Sequence, residues 1–171
     1  MQHGCPRLQS QSGVTLIETA VATAVLLIGI VGVMGMFAVA AAHNANEGEV
    51  STRCVEYAQD KMEQLLALDF SNTTANTTQY PTAFSGGVGL STGGGVTIGS
   101  PVTNYADYFD ASGTPLGATS TGAFYTRQWQ ISVDGTGKVK TITVVASAKV
   151  AVGGNFTIPS ATLVCYKVSF Q

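Results

Sequence analysis

From Thr19 to Ala42 the chain reads TAVATAVLLIGIVGVMGMFAVAAA, 24 residues without a charged side chain. Roughly 20 predominantly apolar residues suffice for a helix to cross the hydrocarbon core of a bilayer. A helix in a soluble core buries one stripe and keeps a polar face, whereas this run is apolar on every side. A membrane-spanning helix is therefore the reading the run supports. Arg7 is the only cation before it, and short N-terminal flanks stay cytosolic, which places residues 47–171 outside. The competing reading is a secretory signal peptide cleaved near Ala38-Val39-Ala40. Against it, the apolar stretch exceeds the usual 7–15 residues of such signals, and Glu18 offsets the one n-region cation.

Charge is sparse and unevenly placed. The 171 residues carry eight Lys or Arg and ten Asp or Glu, 11% in all, where an ordinary globular domain has about 25%. Residues 19–46 hold none, 47–69 hold eight, and 70–126 hold only Asp107 and Asp110. A net charge of -2 gives no electrostatic case for a nucleic-acid partner. The single acid at the head of the apolar run, Glu18, is the anomaly. A carboxylate deep in a bilayer costs roughly 2.5–3.5 kcal/mol on insertion scales. It is tolerated in the first turn of a helix, where the dipole favours an anion, or beside a cationic partner.

The residues around it, Gly13-Val14-Thr15-Leu16-Ile17-Glu18, run directly into the apolar tract. This resembles the class III signal of type IV pilins and type II secretion pseudopilins: a glycine, usually a Phe, then Thr-Leu-Ile-Glu. The resemblance implies a leader over residues 1–13, cut after Gly13 by the prepilin peptidase, a membrane aspartyl enzyme that also methylates the new amine of Val14. It implies that Thr15 and Glu18 serve subunit assembly, Glu18 pairing with the N-terminal amine of a neighbouring subunit. Two opposite charges in a low-dielectric medium attract strongly, and each alone is costly there. Val14 stands where the family usually has Phe, and Gln9-Ser10-Gln11-Ser12 where it has basic residues. Within the family, Ala58–Leu68 is similar to the helix ending of PilV-type minor pilins, and Tyr125–Ile131 with Lys140–Val144 to their C-terminal sheet.

Beyond the apolar run the same helix is expected to continue. Val50, Cys54, Tyr57, Ala58, Met62, Leu65 and Leu68 recur at spacings of three and four, with Glu49, Arg53, Glu56, Asp60 and Glu63 off that stripe. Thr15 to Leu68 would make one helix about 80 Å long at 1.5 Å per residue, stopped by Asp69-Phe70-Ser71-Asn72. Gly29, Gly32 and Gly35 interrupt its apolar half, but not at GxxxG spacing. They are either the ordinary glycines of a membrane helix or a weak point that extends on assembly. Residues 71–122 are rich in Gly, Ser and Thr and read as a turn-rich loop, which the resemblance makes a variable loop facing outward from a filament. No lysine follows Gly87-x-Gly89, so it is not a phosphate loop. Three sequons, at Asn72, Asn76 and Asn155, are unsurprising in so Thr-rich a chain.

The last third has the alternation of antiparallel strands. Tyr105–Asp110 is one. Ala123–Val133 places Trp129, Ile131 and Val133 on one face, Asp134-Gly135-Thr136-Gly137 turns, and Val139–Val150 brings Ile142, Val144, Ala146 and Ala148 inward. Gly153-Gly154-Asn155 turns again. In Ala161–Phe170 the more apolar face is Val164, Tyr166, Val168 and Phe170, with Cys165 on the other. The expected class is α+β: a long N-terminal helix, half transmembrane and half amphipathic, packed on a C-terminal antiparallel sheet, the type IV pilin fold. Its parts are a leader (1–13), a membrane or filament-core helix (14–46), an amphipathic continuation (47–70), the loop (71–122) and the sheet (123–171).

Catalytic chemistry is not evident. After loss of the leader His43 is the only histidine, so neither a Ser-His-Asp nor a Cys-His arrangement can be assembled in a cleft. No metal-ligand spacing occurs, no cofactor is indicated, and Asp107 with Asp110 reads as solvated carboxylates rather than a calcium site. Cys5 lies in the leader. Cys54 and Cys165 either bridge, closing a loop of about 110 residues, or remain buried thiols. The resemblance thus implies no enzyme but a minor type IV pilin, a priming or tip subunit. It would sit in the inner membrane before joining an extracellular pilus, with other pilin subunits, the prepilin peptidase and the assembly platform as partners. A minor pseudopilin of type II secretion or of a DNA-uptake filament fits the same signal. From another class, a membrane-anchored exported adhesin fits the apolar run alone.

Overall fold

The computed structural model describes residues 13, 15–78, 87–116, 120–150 and 157–169. One helix, α1 (Leu16–Ala67), is followed by five strands: β1 (Gly93–Gly94), β2 (Ala106–Phe109), β3 (Tyr125–Val133), β4 (Val139–Ala148) and β5 (Ser160–Val168). The chain divides into two compact units, residues 1–42 and 43–171. In the first, α1 is unbroken through Gly29, Gly32 and Gly35, each with open space where a Cβ would lie. Residues 16–42 are exposed throughout, apolar side chains included. The helix is long and apolar enough to cross a membrane.

The second unit is an α+β layer pair. Its sheet is antiparallel in the order β1-β3-β4-β5, with β2 pairing β3 beyond the Gly93–Gly94 bridge. The β3–β4 hairpin turns at Asp134, whose carboxylate accepts from the backbone N–H of Lys138 and Val139, both at 3.0 Å. Cross-strand partners Ile131↔Ile142 and Trp129↔Val144 build the centre of the core. Cys54, Ala58, Met62 and Leu65 of α1 pack over them. Val133, expected inward with Trp129 and Ile131, is 44% exposed near the hairpin turn.

β2 falls within the strand expected over Tyr105–Asp110. Two expectations for the sheet region need correction. The rest of the stretch 71–122, expected as a turn-rich loop, also holds β1 and the core residue Leu90. Its neck is closed by backbone hydrogen bonds from Gly87 to Thr74, Gly89 to Ala75 and Leu90 to Asn72. In β5 the faces are the reverse of those the apolar pattern suggested. Ala161, Leu163 and Cys165 are half-buried against the core, while Val164, Tyr166 and Val168 are exposed. The register explains this: Ala161, Leu163 and Cys165 pair with the inward Ala146, Val144 and Ile142 of β4, and paired residues share a face. Phe170 and the Gly153-Gly154-Asn155 turn lie outside the described residues.

Candidate functional site

The start of α1 carries the residues that the sequence motif singled out. Thr15 is its N-cap: the Glu18 N–H donates to the Thr15 carbonyl at 3.0 Å and faces its Oγ1 at 3.4 Å. Thr at the N-cap with Glu three residues on is the capping-box sequence pattern, and here the Thr15 hydroxyl oxygen gives the Glu18 N–H, one of the helix's otherwise unpartnered donors, an acceptor. Glu18 is exposed in the first turn, where the positive end of the helix dipole stabilises a carboxylate. Gly13 is exposed, with nothing within 4 Å of a Cβ placed there. Val14 and residues 1–12, Cys5 among them, lie outside the described residues. Thr19 and Thr23 turn their hydroxyls back to helix carbonyls at 2.9 Å, so neither hydroxyl hydrogen is left without an acceptor.

The second unit contains a group of charges the sequence did not reveal. Asp107 of β2 is buried, and its Oδ2 accepts from Lys61 Nζ at 2.7 Å and from Arg127 Nε at 2.8 Å. Arg127 extends to Asp60 and to the Tyr57 carbonyl, tying β3 to two successive turns of α1. Lys61 also donates to the Thr77 carbonyl and lies 4.3 Å from the centre of the Trp129 ring. Burial pulls the Lys61 ammonium down to about 8, an effect larger than the opposing attraction of Asp107. The reading of Asp107 as a solvated carboxylate is thus corrected: it is the hub of an ion network in a wall of aromatic rings. Asp110 instead closes its own turn, accepting from the Thr114 N–H at 2.8 Å and the Ser112 N–H at 2.9 Å. The Ser112 hydroxyl, which donates to the same oxygen at 2.6 Å, and after it those N–H groups hold its carboxyl below the usual range.

At the other end of α1, lysines of the sheet take the place of a basic last turn. Lys167 Nζ donates to the Leu66 carbonyl at 2.6 Å. Lys140 Nζ donates to the carbonyls of Phe70 at 2.6 Å and Leu90 at 2.9 Å. Both interactions fasten the chain where it leaves the helix. Such side chains were missed because a Lys in an alternating strand reads as an outward position. Their only sequence signal is parity, since Lys140 and Lys167 stand in phase with inward Ile142 and Cys165.

Cys54 and Cys165 are both free. The bridge entertained from sequence fails on distance. Cys54 Sγ lies against the Pro159 carbonyl, before the start of β5, and Cys165 sits six residues further along, about 20 Å of strand. A disulfide needs Cα atoms within about 7 Å. Burial pushes the Cys54 thiol up to about 11. Among the described residues no group of three or more His, Cys, Asp or Glu could hold a metal ion. Comparison of the chain with protein-family models, with curated proteins and with solved structures finds no match.

Proposed function

We propose that this chain is a filament subunit of the type IV pilin kind, made as a membrane-anchored precursor and acting in assembly rather than catalysis. The observation that carries the reading is the pairing at the head of α1. A capped Thr15–Glu18 turn places one carboxylate at the edge of an apolar helix that has no other charge through residue 46. In a bilayer that helix is an anchor. In a filament its exposed apolar surface becomes the inner layer, and Glu18 supplies an anion that only a correctly registered neighbour's amine satisfies. The α+β unit beginning at His43 is the part such a subunit would display. A priming or tip role fits the sparse charge of its loops.

The test is Glu18→Ala in the full-length chain. A filament subunit loses incorporation into the sheared surface fraction while staying in the membrane at wild-type abundance. An anchored binding domain that never assembles is indifferent to the change, and that result would refute the proposal.

A further inference from the structure

The face of the sheet turned away from α1 carries a cavity that neither the core nor the ion network uses. One row of cross-strand partners on that face consists of hydroxyls. Tyr108 of β2 pairs with Thr126 of β3, Thr126 with Ser147 of β4, and Ser147 with Ser160 of β5. Neighbouring strands stand about 4.8 Å apart, so the row is a comb of hydroxyls at about that pitch. Tyr108, Thr126 and Ser147 line a cavity of about 310 Å³, with Ile98, Pro101 and Ile158 as its apolar wall. That volume is at the lower end of small-ligand sites, about 300–1,000 Å³, and the mix of apolar wall and few polar groups is theirs. The exposed Lys149 is also part of the lining and makes no ion pair among the described residues. Next along β3 on the same face, Gln128 is 2% exposed, and neither end of its amide has a partner. Buried polar groups are normally satisfied, so an unpartnered amide beside a hydroxyl row marks a surface suited to a ligand that both donates and accepts.

We propose that this cavity binds one acidic sugar ring, free or at the end of a glycan. The lining argues against the other ligand classes in turn. Thr126 and Ser147 stand in interior strands, with β2 and β4 flanking β3 and β3 and β5 flanking β4, so their backbone groups are taken by the ladder. The cavity therefore offers no open edge to a peptide strand. No Asp or Glu lines it, which favours an anion over a cation, and one lysine is too little charge for a nucleic-acid backbone. An acyl chain laid on the row would strip water from three hydroxyls and return no hydrogen bond. A sugar ring meets every feature. Its hydroxyls exchange hydrogen bonds with Tyr108, Thr126 and Ser147, its C–H face lies on the apolar wall, and its carboxylate reaches the Lys149 ammonium. Neither Glu18 nor the apolar helix takes part, so this site stands or falls apart from the filament proposal.

The experiment is saturation-transfer NMR of added ligands with the detergent-solubilised full-length chain. The probes are D-glucuronate, its methyl glycoside, D-glucose and cyclohexanecarboxylate. Glucuronate should bind with a Kd of about 1 mM, the affinity a ligand of this size reaches at ordinary efficiency. Glucose lacks the carboxylate and cyclohexanecarboxylate the hydroxyls, and each should bind several-fold more weakly. Thr126→Val keeps the side-chain shape without its hydroxyl, and should weaken glucuronate and glucose alike by about 3–10-fold. Lys149→Met should bring glucuronate down to the level of glucose and leave glucose unchanged. Unchanged Trp129 emission and thermal midpoint confirm that each variant is folded. Equal binding of the methyl glycoside makes the ligand the end of a glycan, and binding of the free acid alone makes it a small molecule. No saturable binding of either form, cyclohexanecarboxylate bound as tightly as glucuronate, or glucuronate binding that either variant leaves unchanged would each overturn the proposal.

Discussion

Replacing Asp107 by Asn removes the one anion that two buried cations share. Lys61 is fully buried, and the side chains of Arg127 and Asp107 are 5% and 6% exposed, so water replaces none of the lost interaction. Arg127 keeps Asp60, which is largely exposed, and the Tyr57 carbonyl; among the described residues Lys61 keeps the Thr77 carbonyl and the Trp129 ring. Breaking a buried pair by removing one partner costs about 3–5 kcal/mol. With a urea dependence of about 2 kcal/mol per molar, the unfolding midpoint falls by about 2 M. Trp129 is the only tryptophan and lies against Lys61, so its emission in a urea titration of the detergent-solubilised chain reports on this site. Lys61→Met removes a buried cation while Asp107 retains Arg127, and should cost less than Asp107→Asn. The double variant should recover most of what Asp107→Asn loses. The loss should also depend on pH: it is greatest well below pH 8, where Lys61 is protonated with or without Asp107, and shrinks as pH rises towards about 8, because without the carboxylate that raises its pKa the ammonium gives up its proton sooner. An Asp107→Asn variant within about 1 kcal/mol of wild type, or one that Lys61→Met fails to rescue, would refute the account of the network.

Three further outcomes are expected. Gly94→Ala should lower the thermal midpoint sharply, because Gly94 has φ of 83° and an added Cβ would fall on the Trp129 carbonyl oxygen and the Tyr105 ring; Gly135→Ala, with open space around it, is the control. Lys140→Met should cost about 1–3 kcal/mol by leaving the Phe70 and Leu90 carbonyls without their donor, read in the same urea titration. Cys54, buried and with its thiol raised to about 11, should resist maleimide in the folded chain near pH 8 and react after unfolding, as followed by mass spectrometry.

Much of this architecture is written locally in the chain. The apolar run and the three-four spacing from Cys54 to Leu65 give α1, and the alternation around Trp129 and Val144 gives the β3–β4 hairpin. The capping pair at Thr15 and Glu18 is readable because both partners sit within one turn. What was hidden depends on contacts distant in sequence. Lys61 stands in the buried stripe of α1, yet its burial is tolerable only because Asp107 and Trp129 arrive from β2 and β3. The Gly93–Gly94 strand has no side chain to announce it, and is set by Tyr105 packing over it and by its pairing with Gln130 and Ile131. In β5, residue-type hydrophobicity pointed to the wrong face because β4 fixes the register, leaving Val164 and Tyr166 in solvent.

The central claim is tested most directly by the mass of the mature N-terminal peptide, taken from protein purified out of its native envelope. A filament subunit of this kind should begin at Val14 with a methylated amine, leaving Thr15 to cap the helix and Glu18 in its first turn. A chain beginning at Ala41 after signal-peptide cleavage, or one retaining residues 1–13 in the assembled state, would contradict it.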